Sequence, residues 1–577
     1  MTQSTHALDT KTVLTTILAL SLVLVGGLTA PLGAQEDEEQ QDILEGLYVD
    51  SVDVNLVNVE VFVTDKKGNR ITGLTKDDFE LQVGKQEVPI TNFYAVEDGK
   101  AVAGVPVAVE ALPEPGLDAP PIDRPQAPPV PDDQQLHLII YVDNFNLHPF
   151  TRNRVLSNIR LFLRSRLRPG DQVMLATYDR SLKIRHPFTK DPELIASALF
   201  EIEEVSAMAV HQDSDRRDIL SQVYEVDEQY QVYGRATQYA ESLYSDLNFA
   251  LDALKDLVET LAGLPGRKAI LHVSDGLAMR AGEDVFYAIN DEFPDASSVL
   301  LDSQRYDLTR RYNALTSQAN ANRVTFYTME AAGLRTYSYM DASNASPNGG
   351  ARIDQIHYTN IQSSLRFMAA ETGGMAMVNS NNYTPMLDRM AEDFGTYYSL
   401  GFIPSSNETG RYRDIRVRLK NPQKGIKVRH REGYRHKPVP TRMVDGTLAA
   451  LHYGHQKNPM GVELEVRERE RQGNGHYMVN LLVKIPIGAL SFLPHSEINR
   501  GRVRLWVGAM DTEGGIAPVQ DVPVPIDIPT EQFEDAQTKF YHYEMKLLMR
   551  SGRQVVAVGV RDEIGANTGF VTRSVDV

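Results

Sequence analysis

Cysteine is absent from all 577 residues. That excludes disulfides, thiolate metal centres and a lipidated cysteine anchor, so an exported product must rely on packing alone, which suits large domains. Basic charge is also short: 59 Lys and Arg stand against 77 Asp and Glu, a net charge of −18. Nucleic-acid binders need a basic surface, so the balance argues against a phosphate-backbone partner. The basic stretch from Arg411 to Arg435 alternates with apolar residues and reads as the wet face of strands. Beyond Leu28 no apolar run approaches the ~20 residues a membrane helix needs. His-Glu-x-x-His zinc spacing is missing, and no Gly-x-Ser-x-Gly elbow surrounds Ser274.

What is present begins with an address. Lys11 precedes an apolar run from Val13 to Leu28, then Thr-Ala-Pro-Leu-Gly-Ala34 and the acidic Gln35-Glu-Asp-Glu-Glu. This predicts a secretory signal peptide over 1–34, cut after Ala34 because Pro31 disfavours cleavage after Ala30. The product is expected to be secreted or periplasmic, with no transmembrane segment beyond the signal peptide. The remainder is too long for one core and implies several domains.

Residues 49–98 alternate with period two, as in Val52-Asp-Val-Asn-Leu-Val-Asn-Val-Glu-Val-Phe-Val63, and turn at Thr64-Asp-Lys-Lys-Gly68. They predict an N-terminal β-sandwich module, acting as a spacer or as a binding module. Residues 99–134 are dense in proline and predict an extended linker. From 135 to 438 strands and helices alternate, which predicts a mostly parallel, doubly wound α/β sheet covered on both faces. In this reading Tyr397 to Ile403 is a strand of that sheet, 206–234 is a polar segment and 337–354 a loop. Residues 445–577 return to period two and predict a C-terminal β-sandwich with no long helix.

The α/β region is organised around His137-Leu-Ile-Ile-Tyr-Val-Asp-Asn-Phe-Asn146, an apolar strand ending at Asp143. The helix after it carries Val155, Leu156, Ile159, Phe162 and Leu163 on one stripe. Arg152, Arg154, Arg160, Arg164 and Arg166 are expected to be mostly solvated. A second buried strand, Lys268-Ala-Ile-Leu-His-Val-Ser-Asp-Gly276, ends at Asp275. Ligands of open α/β sheets bind outside the carboxyl ends of the strands, so both acids are expected at one rim. Two converging carboxylates suit a hard divalent cation such as Mg²⁺; they serve equally as acceptors for backbone N–H groups at helix starts. His272, inside an apolar strand, reads as a buried histidine and not as a base. Gly263-Leu-Pro-Gly266-Arg-Lys268 lacks the Gly-Lys-Ser/Thr order of a phosphate loop and enters a strand instead of leaving one.

Four pieces, in this order, carry a family resemblance: Val63-Thr-Asp65 with Gly68, Gly73-Leu74 and Asp78-Phe79; Tyr141-Val-Asp-Asn-Phe-Asn-Leu147; Leu264-Pro-Gly-Arg-Lys-Ala-Ile-Leu-His-Val-Ser-Asp-Gly276; and Tyr397-Tyr-Ser-Leu-Gly-Phe-Ile-Pro404 with Tyr412 to Arg418 and Arg431-Glu-Gly-Tyr434. With them the chain resembles bacterial secreted VWFA-related proteins, which carry a von Willebrand factor A-type (VWA) domain. The resemblance implies a VWA-like fold and an Mg²⁺ site of the Asp-x-Ser-x-Ser type, with a Thr from a later loop and a final Asp. Asp143 and Asp275 match the two acids, Asn144 or Asn146 offers an amide oxygen (Asn146 being the expected ligand), and Thr237, Ser242 and Ser245 are candidates for the Thr. The serine positions hold Phe145 and Leu147, so the implied site is degenerate. The implied function is non-enzymatic recognition of a protein partner at the carboxyl-end face, with an envelope scaffold or a metal-dependent hydrolase as alternatives.

Overall fold

The computed structural model describes residues 56–103, 135–168, 170–205, 209–294, 298–335, 350–404, 410–422 and 424–577. The signal peptide expected over 1–34 and the linker from 104 to 134 lie outside them. The chain divides into two compact units, one running from 53 to 449 and one containing 450–577.

The first unit starts with β1 (Val57–Thr64), β2 (Phe79–Val83), β3 (Gln86–Glu87), β4 (Asn92–Glu97) and β5 (Lys100–Ala103). The turn after β1 forms as read: Asp65 accepts from the backbone N–H groups of Lys67 and Asn69, and Gly68 supplies a φ of 89°. Residues 99–103, placed in the linker by composition, close a hairpin between β4 and β5 instead.

The α/β layer follows. Its strands are β6 (Leu136–Asp143), β7 (Gln172–Tyr178), β8 (Leu182–Thr189), β9 (Arg267–Ser274), β10 (Val324–Glu330) and β11 (Ala376–Met377). They are ordered β8-β7-β6-β9-β10-β11, all parallel except the edge strand β8. Helices α1 (Pro149–Arg166), α2 (Pro192–Glu203), α3 (Ala209–Glu225), α4 (Gln229–Thr260), α5 (Glu283–Glu292), α6 (Thr309–Ala321), α7 (Gly350–Glu371) and α8 (Thr384–Gly395) cover it. Val155, Ile159, Leu199 and Met390 of α1, α2 and α8 bury one face against Leu138, Ile140, Val142 and Leu271. Helices α6 and α7 pack against β10. This is the doubly wound, mostly parallel α/β fold class expected from the sequence.

Strands β12 (Tyr397–Phe402), β13 (Tyr412–Leu419), β14 (Lys427–Arg429) and β15 (Gly433–Arg435) correct the expected domain order. Instead of extending the parallel sheet, β12 pairs antiparallel between β1 and β4, with Val57 opposite Phe402 and Val96 opposite Tyr397. Similarly β13 pairs with β2. The sandwich begun at β1 is therefore completed by residues from 397 to 435, and its core joins Val59, Val61, Phe79 and Leu81 to Leu400, Phe402, Ile415 and Val417. Periodicity marks a strand without naming its partner, which is why the boundary near 98 is not where packing divides the chain.

Two helices were also invisible to periodicity. α3 lies in the stretch read as polar because its buried anchor is Arg216, held by Asp284 at 2.6 Å and Asp354 at 3.2 Å. α9 (Val439–Tyr453) precedes the C-terminal strands, where no helix was expected. The start of α7 likewise turns 350–354 from loop into helix.

The second unit is a sandwich of one sheet ordered β16-β17-β21 and another built on β18-β19-β22-β23, with β20 paired to β19. These are β16 (Glu463–Gly473), β17 (His476–Pro486), β18 (Leu493–His495), β19 (Ile498–Asp511), β20 (Gln520–Pro529), β21 (Phe540–Arg550), β22 (Arg553–Asp562) and β23 (Thr568–Asp576). The period-two alternation reappears in its packing: Val479, Leu481 and Val483 share one core with Leu505, Val507, Val556 and Val558. No described helix is long and apolar enough to cross a membrane.

In the first unit Glu60 of β1 bonds Arg323, at the entry to β10. Burial would raise its pKa, but the charges of Arg323 and Arg431 outweigh burial and hold it at about 2. A depressed carboxylate contributes stability above its unfolded value of 4.5 that is lost as pH falls through about 2. Glu60→Gln is therefore expected to remove about 3 kcal/mol at neutral pH and to flatten the acid limb between those values, as read by denaturant titrations at stepped pH.

Candidate functional site at the carboxyl-end rim

Parallel register brings the two predicted acids together. Val142 lies opposite Val273, so Asp143 and Asp275 leave neighbouring central strands at one rim. Asp143 is buried and caps the single turn Asn144–Asn146, accepting from the Asn146 backbone N–H at 3.3 Å. Its two oxygens also accept from the Asn146 amide at 3.1 and 2.9 Å, and Ser274 Oγ donates at 2.9 Å. Burial pushes its pKa up to about 6, with the nearby Asp275 charge adding to the rise against the hydrogen bonds from Asn146 and Ser274.

Asp275 is tied to the same turn. Its backbone N–H donates to Asn146 O at 3.1 Å, and its Oδ2 accepts from the His148 backbone N–H at 3.1 Å and pairs with His148 Nδ1 at 2.7 Å. The other imidazole nitrogen, Nε2, meets Asp213 Oδ2 of α3 at 2.9 Å. The hydrogen bond to Asp213, and after it the one to Asp275, raise the His148 pKa to about 9. At neutral pH the ring is an imidazolium, a cation that the chain itself places between two rim acids.

A third carboxylate completes the rim. Glu330 ends β10, is fully buried, and accepts from Arg335 Nε at 2.9 Å, Gln362 Nε2 at 3.0 Å and the Asn379 backbone N–H at 2.6 Å. Arg335 in turn donates to the Asp275 carbonyl at 2.8 Å. Sequence reasoning missed His148, Asp213 and Glu330. Applying the strand-then-acid rule to Val324–Glu330 would have found the last; nothing local marks Asp213 as a partner of His148.

Phe145 and Leu147, at the implied serine positions, turn inward: Phe145 meets Tyr178 edge-on and Leu147 joins the core. Thr237, Ser242 and Ser245 lie along α4, and none has a hydrogen bond to Asp143 or Asp275 among the described residues. Asp275 Oδ1 is buried without a partner, yet no group of three or more His, Asp or Glu side chains with metal-binding geometry occurs among the described residues. The Asn146 amide faces Asp143 with its N–H₂, and His148 occupies the approach to Asp275. This donor set forms a hydrogen-bond network and does not fit the oxygen shell an Mg²⁺ ion asks for. His272 is buried, stacked on Tyr141 at 5.4 Å, and kept neutral by burial, with a pKa of about 3.

Arg152 corrects another expectation. It is fully buried, not solvated, and donates to Asn144 Oδ1 at 2.6 Å, Val205 O at 2.7 Å and Glu203 O at 2.8 Å. It thereby braces the turn that carries Asp143 and Asn146.

No family model matches the chain, and no curated protein matches it. Among solved structures it is similar to an aerotolerance-related membrane protein from Bacteroides fragilis, at 11% identity over 45% of this chain and 98% of that one, with a TM-score of 0.24. It is also similar to the conserved hypothetical protein BatB from Bacteroides thetaiotaomicron, at 11% identity over 45% of this chain and 96% of that one, TM-score 0.22. A third is a von Willebrand factor type A structure from Catenulispora acidiphila, at 9% identity over 86% of this chain and 73% of that one, TM-score 0.20. At such scores the strand order and register described above, and not these likenesses, carry the fold.

Proposed function

We propose that this is an exported, non-enzymatic binding or adhesion-type protein whose carboxyl-end rim recognises a protein partner without a bridging metal ion. The observation that carries the reading is Phe150, 82% exposed, two residues beyond His148 in the first turn of α1. A large apolar side chain held out to water beside a buttressed polar network has the character of an interface anchor, ringed by groups that fix orientation. Leu334, 60% exposed beside Arg335, supplies a second apolar contact on the loop after β10. A serine-type hydrolase at this rim would need an accessible nucleophile, and Ser274 is fully buried with its hydroxyl committed to Asp143; a metal-dependent one would need water on a cation, and the rim donors form a hydrogen-bond network instead.

Placing a photo-crosslinking phenylalanine analogue at position 150, in cells that export the full chain, tests this. A discrete protein adduct is expected at 150 and not at Phe249, which is 62% exposed on α4. Phe150→Ala should weaken capture of the isolated partner by more than about tenfold, as for a central anchor. The adduct should survive chelation. Equal labelling at both positions would defeat the rim, and loss of the adduct with EDTA would restore the divalent-cation site at Asp143, Asn146 and Asp275.

A further inference from the structure

A second polar concentration lies at the opposite, amino-terminal ends of the parallel strands. There a cavity of about 310 Å³ opens between the start of β1, the Gly263–Gly266 loop, the residues entering β10, β15 and the start of α9. Six cationic side chains line it: Lys268, Arg323, Arg431, Arg435, Lys437 and Arg442. One carboxylate, Asp445, lines it with them, and Glu60 stands behind Arg323. Among the described residues these six basic side chains meet two acids, Asp445 and Glu60, in a chain of net charge −18.

The two most buried of these cations have no carboxylate among their hydrogen-bond partners in the described residues. Lys268 Nζ donates to the Leu264 carbonyl at 2.8 Å. Arg431 donates to the carbonyls of Asn320 and Asn58, both at 2.7 Å, and its Nε is buried without a partner. Burying cations against neutral carbonyls is costly, and burial lowers the pKa of both groups. Lys437 by contrast is matched by Asp445 at 2.5 Å. The wall is also closely built: a Cβ on Gly263 would stand 2.0 Å from the Asp445 carbonyl, so the loop and α9 meet through bare backbone.

We propose that this cavity binds a small phosphate-bearing anion of the phosphate or pyrophosphate class. Its charge would add to that of Glu60, which faces Arg323 and Arg431, and planar guanidinium groups match phosphate oxygens in pairs. The site differs from a phosphate loop because side chains, not a helix start, supply the donors. It is independent of the rim and of any partner bound there.

The test is calorimetric titration of the full chain with sodium pyrophosphate and with sodium phosphate, against sodium chloride and sodium sulfate at matched ionic strength. Saturable binding of one pyrophosphate or phosphate per chain is expected, with no saturable heat from chloride and weaker binding of sulfate. Arg435→Glu, at an exposed lining position, should weaken binding on the order of tenfold, the worth of one charge-assisted hydrogen bond. Arg442→Glu should do the same, and Arg467→Glu in the second unit should leave affinity unchanged. Melting curves establish that each variant is folded. Pyrophosphate heat no larger than that of chloride, sulfate binding as tightly as pyrophosphate, or folded Arg435→Glu and Arg442→Glu proteins with wild-type affinity would each overturn the assignment.

Discussion

Asp393→Ala is expected to destabilise the 53–449 unit by about 3–5 kcal/mol, the cost of removing one partner from a buried ion cluster. Asp393, on α8, is fully buried. Arg429 Nη2 donates to both its oxygens, at 2.7 and 2.9 Å, Arg70 bonds Oδ1, and Tyr327 Oη donates to Oδ2 at 2.9 Å. Arg70 follows β1, Arg429 lies in β14 and Tyr327 in β10, so one carboxylate ties the sandwich to the parallel sheet. Burial lowers the Arg70 pKa only to about 10, so its guanidinium stays charged at neutral pH; burial also lowers that of Arg429, whose guanidinium is a cation by its chemistry. Alanine would leave two partly buried cations facing each other, with only the Glu392 carboxylate, 4.0 Å from Arg70, as counter-charge. Asp393→Asn, which keeps hydrogen-bond capacity but not charge, should fall between alanine and wild type. The contrast is Glu392→Ala: its carboxylate is half exposed and 4.0 Å from Arg70, so its loss should stay within about 0.5 kcal/mol. Denaturant titration of the full chain, following the transition of this unit, reads all three. A loss of about 1 kcal/mol or less for Asp393→Ala would mean that the clasp is not what joins the two layers.

How much of this was legible in sequence follows from which interactions are local. Buried runs such as Leu138–Val142 and Ala269–Val273 announce parallel strands, and an acid at the end of each announces a rim; both readings need only about a dozen contiguous residues. The pairing of β12 with β1 joins residues more than three hundred positions apart, and nothing in Tyr397–Phe402 states whether its neighbours run parallel or antiparallel. α3 stayed hidden because its inward face is held by Arg216 and its acids, so the apolar stripe that betrays a helix is thin. At the rim, Asp143 and Asp275 were readable by position. The role of Asn146 was not, since the same residue type can turn either an oxygen or an N–H₂ toward a carboxylate. His148 was overlooked for the same reason as Arg152. A polar residue beside an apolar stripe looks solvated until the fold brings it an acceptor from elsewhere in the chain.

Arg152→Met should therefore cost about 3 kcal/mol and also loosen the rim, although Met can fill much of the space the arginine stem occupies. The expected loss comes from the acceptors left behind. Glu203 O and Val205 O, at and just after the end of α2, lose their donor, as does Asn144 Oδ1 in the turn after β6. An acceptor buried without a partner costs about 1–3 kcal/mol, and such costs within one network are not additive, so the total should stay well below the sum for all three. Arg152→Lys keeps the charge but offers a single point of donation where the guanidinium reaches three oxygens in different directions, so it should recover only part of the loss. The functional consequence follows from the connectivity. Asn144 opens the turn that carries Asn146, and Asn146 holds both Asp143 and Asp275, with His148 and Phe150 directly after. If the turn shifts, Phe150 loses its fixed position and crosslinking from position 150 should fall by about tenfold in Arg152→Met, at temperatures where the protein is still folded. A folded Arg152→Met protein with undiminished crosslinking would show that Phe150 is positioned by α1 alone and that the polar network beneath it serves stability without shaping the recognition face.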